Sequence, residues 1–311
     1  MSLELALPSK GRLKEQVEGW LADCGLPVSG GGRAYRASLG GLPEIGVRLM
    51  PAGEIADALA AGEVQLGVTG EDLLREREEG LDGRVLLLLA PGFGRAELMV
   101  AAPAAWLDVQ TMGDLEAVAH ATLQRTGRRL RVATKYPVQT RRFFARHGIV
   151  DYRVVDSGGA TEGAPAAGLA EVVVDITSTG ATLEANHLKR LSDGTILRSE
   201  ARLAAGLRAA WSGDAQAMAR RLLGVLEARA RARETATLVW PAEQDAAARA
   251  ALAGFGDDWR ASGLLVQAGA VFGAAAALAE AGVGPVTATR PEYVFDARSE
   301  AAERLQGALA G

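Results

Sequence analysis

Residues Glu171 to Leu183 read Glu-Val-Val-Val-Asp-Ile-Thr-Ser-Thr-Gly-Ala-Thr-Leu. An apolar strand runs to Asp175, a hydroxyl- and glycine-rich turn follows, and Ala181-Thr182-Leu183 opens a helix. Such a turn gathers the backbone N–H groups around Gly180 and Ala181, the positive end of a helix dipole, and the hydroxyls of Thr177, Ser178, Thr179 and Thr182. Together these make an anion cradle. Asp175, just upstream, is placed for sugar hydroxyls or for a metal carried by phosphate, so the set suits a phosphorylated sugar better than bare phosphate. A Ser/Thr/Gly cluster before a helix is most often a turn and its N-cap. Here the acid also closes a run of three valines, at the C-terminal end of a buried strand, where open α/β sheets bind ligands.

Other turns repeat the pattern more weakly. Pro8-Ser9-Lys10-Gly11-Arg12-Leu13 puts Lys10 and Arg12 at an early strand-to-helix turn, where they could neutralise a pyrophosphate or triphosphate; surface cations at turns are equally common. Gly67-Val68-Thr69-Gly70-Glu71-Asp72 offers a backbone contact from Thr69 and Gly70, with Asp72 as either a ligand or a helix-start acid. Val132-Ala133-Thr134-Lys135-Tyr136-Pro137 sets Lys135 at a strand end, and the glycine-rich loop Ser157–Pro165 carries Glu162. Strand ends converge on one cleft, so these loops argue more strongly together than singly.

The elements that must position them alternate strand and helix. Strands are expected at 3–7, 44–49, 64–68, 84–90 and 98–102, with helices at 13–23, 51–61 and 72–79. A second block adds helices at 111–125, 137–147 and 161–169 and strands at 131–133, 152–155 and 172–176. Residues 188–204 read as a hairpin around Ser192-Asp193-Gly194. Two α/β lobes would leave a cleft between them. A long helix over 212–233 ends in Arg229-Ala230-Arg231-Ala232-Arg233, read as cations complementing the helix terminus beside a linker. Beyond it, strands at 235–240, 263–267, 286–288 and 293–295 and helices at 242–253, 274–281 and 299–309 form a small α+β unit with a regulatory or assembly role.

The chain has 311 residues, 49% hydrophobic and 23% charged, with a net charge of −4. That balance fits two or three globular units and gives no overall basic field for nucleic acid. One cysteine, Cys24, and three scattered histidines, His120, His147 and His187, leave neither a disulfide framework nor a protein-ligated transition metal. The start, Met1-Ser2-Leu3-Glu4-Leu5, enters a strand without a basic and apolar leader, and no apolar run reaches membrane-spanning length. A soluble cytoplasmic protein is expected.

Four segments, in order, resemble one family: Leu5–Leu13, Leu66–Leu73, Arg131–Pro137, and Gly159–Pro165 continuing through Asp175 to Leu188. The family is that of the ATP phosphoribosyltransferases, which start histidine biosynthesis; the likeness spans residues 3 to 200. The pattern Asp-x-x-x-Thr-Gly-x-Thr from Asp175 also resembles the loop that phosphoribosyltransferases use on phosphoribosyl pyrophosphate. Many such loops carry two adjacent acids, the first of which is Val174 here. The resemblance implies an α/β catalytic region similar to type II periplasmic binding proteins. Residues 1–95 with 186–230 would form one lobe and 96–185 the other, followed by a ferredoxin-like domain over 234–311 that in longer members binds histidine. It implies that Asp175 and Thr177–Thr182 hold phosphoribosyl pyrophosphate. Lys10, Arg12, Arg48, Lys135 and Glu162 would line the shared cleft, with Thr69, Gly70 and Asp72 beside ATP or pyrophosphate. Asp175, Glu162, Lys10 and Arg12 would serve the transfer of the phosphoribosyl group to N1 of the ATP adenine. Mg²⁺ would be held mainly by substrate phosphates, and the assembly would be a homo-oligomer, dimeric or hexameric, or a complex with a regulatory subunit. The same two-lobed architecture also serves non-catalytic binding or sensor proteins.

Overall fold

Continuous apolar runs form the central strands, as both faces of a parallel sheet demand. In β1 (Glu4–Pro8) Leu5, Ala6 and Leu7 are all buried. The computed structural model describes residues 3–30, 36–77, 81, 83–157 and 160–310, and its contacts define two compact units, Met1–Ser212 with Ala308–Gly311, and Gly213–Gly307. Among the described residues no helix is long and apolar enough to cross a membrane.

The first unit holds two sheets. After β1 come α1 (Gly11–Asp23), β2 (Val28–Ser29), β3 (Arg36–Leu39), β4 (Gly46–Met50), α2 (Ala52–Ala61), β5 (Leu66–Gly70), α3 (Glu71–Arg77) and β6 (Val85–Leu89). The second lobe follows with β7 (Ala96–Pro103), α4 (Met112–Thr126), β8 (Leu130–Thr134), α5 (Pro137–Arg146), β9 (Tyr152–Asp156), β10 (Val172–Thr177), α6 (Ala181–Ala185) and β11 (Leu188–Ser199), and β12 (Ala201–Gly206) returns to the first. The sheet orders are β2-β3-β4-β1-β5-β12-β6 and β11-β7-β10-β8-β9. Val172 and Val174 enter one apolar cluster with Leu98, Val100 and Phe144, while Val173 enters another with Met99 and Leu183. Thus β10 is buried on both faces, and Asp175 is where that burial ends.

Three expectations are corrected. Residues 188–199 are one strand rather than half of a hairpin, and they pair with β7 in the second lobe, not the first. Leu188 and Leu191 fill that lobe's core, and the surplus residues at 191–194 bulge so that Asp193 accepts from Met112 N at the start of α4, 2.7 Å away. Helix 213–234 falls in the second unit, so only β12 of residues 186–230 pairs within the first-lobe sheet. The helix expected at 161–169 is a single 3₁₀ turn, Thr161–Gly163; Gly163, Pro165 and Gly168, the last at φ +68, leave too little propensity to continue it. Glu79, Gly158 and Gly159, included in the expected elements, lie outside the described residues.

The chain crosses between the lobes twice, before β7 and after β11, and the crossings run side by side: Ala201 N donates to Phe93 O at 3.0 Å. Gly94 permits this approach, with φ +68 and room for no more than a tight contact to Ala201. A buried polar cluster fixes the lobes beyond the crossings. Asp72 of α3 accepts from Ser199 Oγ at 2.7 Å and from the Tyr136 hydroxyl at 2.8 Å. Glu76, one turn on, accepts from Val138 N at 2.7 Å and Gln139 N at 3.1 Å, satisfying donors at the open N-terminus of α5 with a favourable charge. Burial, and next the Asp72 charge, push the Tyr136 pKa far up, so the phenol stays a donor.

In the second unit, α7 (Gly213–Glu234) leads into β13 (Thr235–Val239), α8 (Asp245–Ala251), β14 (Asp258–Arg260), β15 (Gly263–Gln267), α9 (Val271–Glu280) and β16 (Thr287–Thr289), and α10 (Glu300–Ala310) begins there. The βαββαβ order and the antiparallel sheet β14-β15-β13-β16 are ferredoxin-like. The short β14 escapes the sequence pattern because it carries its packing on one residue, Trp259, whose ring meets Trp240 edge-on at 6.5 Å and lies under Arg249. Residues 293–295 are not a strand. Arg229 and Arg231, expected to complement the helix terminus beside a linker, donate to the carbonyls of Glu292 and Val294.

Tyr136→Phe removes one donor from the buried Asp72 carboxylate. A loss of about 1–3 kcal/mol is expected, read as a lower melting temperature for the first unit. Unchanged melting would mean the phenol adds no stability.

Candidate active site

Asp175 stands in the C-terminal half of β10, two residues before its end, half-buried, on the face where Val173 packs with Ala164 and Leu183. Its own Ile176 N–H donates back to Oδ1 at 2.9 Å. The 3₁₀ turn brings Glu162 close enough for its carboxylate to act on Asp175. Burial does most to raise the Asp175 pKa above the ordinary carboxylate value. The Glu162 charge adds to this, against the Ile176 N–H and the positive charge of Lys135. A second acid, Glu162, thus stands beside Asp175 although the neighbouring position in sequence is Val174.

The turn after Asp175 holds itself in shape. Thr177 Oγ1 accepts from Gly180 N at 2.8 Å and Thr179 Oγ1 from Ala181 N at 3.3 Å, while Gly180 takes φ +86 at the start of α6. Ser178, Thr179, Ala181 and Thr182 are exposed. Two of the four hydroxyls, those of Thr177 and Thr179, are thus engaged by the turn itself.

Strand ends from both lobes converge on a cleft of about 330 Å³ lined by Arg12, Gly70, Asp72 and Ser178, with Arg95 at its edge. This unites four residues chosen from three separate motifs. Lys10 is exposed at the start of α1, and Lys135 stands at the end of β8, near enough to act on Asp175. Arg48, outside the lining, is half-buried in β4 directly across from Arg36 of β3. Two expectations change in kind. The Thr69 hydroxyl is fully buried and donates to Ala52 O at 2.8 Å, tying β5 to the start of α2. The Asp72 carboxylate is taken by Ser199 and Tyr136, so its work is to hold the lobes.

Arg95 and Arg190 were missed. Arg95 follows Gly92-Phe93-Gly94 at the first crossing, a glycine-rich signal that could have found it. Arg190 lies on β11, and its guanidinium would be 3.6 Å from a Cβ placed on Gly180, so it rests against the turn. No local pattern marks it, because β11 reaches the loop only through its pairing with β7.

These features define an α/β protein with an arginine-lined cleft between two lobes. The model of the HisG ATP phosphoribosyltransferase family matches residues 51–227. A curated ATP phosphoribosyltransferase from Caulobacter vibrioides (strain NA1000 / CB15N) is 62% identical over 309 residues, 98% of this chain and 97% of the relative. A solved ATP phosphoribosyl transferase (HisG:HisZ) complex from Thermotoga maritima aligns with 66% of this chain and 87% of its own, at TM-score 0.51 and 25% identity. The periplasmic aliphatic sulphonate binding protein SsuA from Escherichia coli aligns at TM-score 0.42 and 14% identity, over 99% of this chain and 85% of that one. The chain belongs to the ATP phosphoribosyltransferase family. It is an enzyme of the first step of histidine biosynthesis, which decides against a purely binding or sensory role.

The raised Asp175 pKa has a consequence for stability. An acid whose folded pKa lies above its unfolded value favours the folded state at low pH, and that contribution is lost as pH rises through the folded value. Asp175→Asn is therefore expected to melt higher than the native chain at neutral pH, with the difference vanishing below the ordinary carboxylate range. Parallel melting curves at all pH values would refute this.

Proposed function

We propose that the Asp175–Thr182 segment holds phosphoribosyl pyrophosphate and that Lys10, Arg12, Arg48 and Lys135 receive the phosphates of ATP and of the leaving pyrophosphate. The observation that supports this most is the meeting of Arg12, Gly70 and Ser178, from three strand-end loops, in one cleft. In the reaction the bond from C1′ to pyrophosphate breaks as N1 of adenine bonds to C1′. Adenine N1 is unprotonated at neutral pH, so neither a covalent nucleophile nor a strong base is needed. Positive charge grows on the ribose as in other displacements at an anomeric carbon. The protein's part is to align two polyanions and to stabilise the leaving oxygens.

Asp175 and Glu162 stand beside the ribose in this reading, Asp175 accepting from its hydroxyls. Their oxygens also suit a hard cation whose shell is completed by substrate phosphates and water. When bound, Mg²⁺ neutralises phosphate charge. Arg190, resting on the turn, adds a cation for the phosphate on the ribose. The second unit serves regulation or assembly, as a homo-oligomer or with a partner subunit, in the cytoplasm. If saturating histidine leaves the rate of the pure chain unchanged, direct inhibition through that unit is wrong.

The test is an absorbance assay for the N1-substituted adenine with ATP, phosphoribosyl pyrophosphate, Mg²⁺ and pyrophosphatase. Asp175→Asn is expected to lower kcat/KM for phosphoribosyl pyrophosphate by about 100-fold, and Arg12→Ala by about 10-fold. Native values in Asp175→Asn would remove that residue from the site.

A further inference from the structure

A second cavity of the first unit is larger than the substrate cleft. A basin of about 1260 Å³ opens on the second lobe, bounded by Arg125, Arg128, Arg129 and Arg153 and walled by Trp106 and Leu107. It lies at the end of the sheet opposite the cleft. Arg131 and Glu171, which also line it, sit at the beginnings of β8 and β10, whereas Lys135 and Asp175 sit at their far ends. The separation is about 13 Å along the strand.

Its charge is unbalanced. Arg131 and Glu171 neutralise each other at 2.5 Å. The guanidiniums of Arg125, Arg128, Arg129 and Arg153 have no ion pair or side-chain hydrogen bond among the described residues, and Asp108 is the carboxylate left in the lining to oppose them. Such a concentration of positive charge stands out on a chain of net charge −4, and like charges held together without counterions attract an anion. The wall is apolar and firmly built: Lys189 Nζ donates to the carbonyl of Trp106, while Leu107 is left 76% exposed. An exposed leucine and an indole beside unpaired arginines suit a ligand with a flat or apolar body and several charged groups.

We propose that this basin is a second binding site, for an organic polyanion of about nucleotide size, with its phosphates or carboxylates on the four arginines and its body against Trp106 and Leu107. The site is independent of the cleft and of the roles assigned there.

The probe is 8-methoxypyrene-1,3,6-trisulfonate, an aromatic trianion without ribose or adenine, followed by fluorescence anisotropy on the full chain. One dye per chain is expected, undisturbed by saturating phosphoribosyl pyrophosphate and by Arg12→Ala. The double variant Arg128→Gln/Arg153→Gln should bind about tenfold or more weakly while keeping its circular dichroism and transfer rate. Displacement by phosphoribosyl pyrophosphate, or equal binding in the double variant, overturns the proposal. Should that variant fail to fold, Trp106→Phe decides: the tryptophan quenching caused by dye must shrink, and undiminished quenching places the dye elsewhere and overturns the site. No dye binding, with a change of sedimentation in the double variant, would make the basin an interface between chains and likewise overturn it.

Discussion

How the second-lobe side of the cleft meets the first depends on two buried carboxylates that join the lobes. Asp72 and Glu76 lie one turn apart on α3, so both face the second lobe. Neither is left to pay its desolvation alone: Asp72 is met by a serine and a phenol, Glu76 by two N–H groups of a helix start. A buried acid is costly unless such partners are in place. That cost makes the arrangement selective, because another packing of the lobes would leave the charges unmatched. Glu71 anchors the same helix on its other side. Despite its burial, Arg75 and Arg202 hold its carboxyl below the ordinary range. The first lobe thus presents α3 as a rigid rail, and the cleft is the space that remains beside it.

The substrate turn is built on a contrary principle. Asp175 follows the part of β10 that is buried on both faces, which places an acid where burial raises its pKa, next to another acid, in a shell that offers it one backbone donor. Folding alone does not favour that placement. It is supported by the long β10–β7 and β10–β8 pairings, whose stability lets a functional group sit in a poor environment. The turn itself uses threonine hydroxyls to fix its backbone, so that an incoming anion meets a shape already formed, with less ordering left to do on binding.

Much of this was legible in sequence where chemistry and periodicity coincide. The valine run before Asp175, the glycine turn before α3 and the strand-helix alternation each carry a local signal. What escaped was set by pairing over long range. Arg190 comes to the turn through β7, Glu162 reaches Asp175 because a helix fails at Gly163 and Pro165, and residues 188–199 change sheets because their leucines fit the second core. Asp72 shows the subtler limit. Its position beside the cleft was readable from the motif, but not the partners that claim its carboxylate, since Tyr136 and Ser199 lie 64 and 127 residues away.

The arginines separate along the same line. Those that shape the fold find acids or carbonyls: Arg202 on Glu71, Arg131 on Glu171, Arg231 on Val294. Among the described residues Arg12, Arg48 and Arg190 have no such partner, and Arg48 even faces Arg36 across two strands, an opposition that costs stability unless an anion lies between. A planar cation with five donors is poorly spent on solvent. On an acidic chain, unpaired guanidiniums gathered on concave surfaces therefore mark where negative charge is to be brought from outside. By that criterion the first unit carries two such surfaces, the cleft beside Arg12 and the basin beside Arg128 and Arg153.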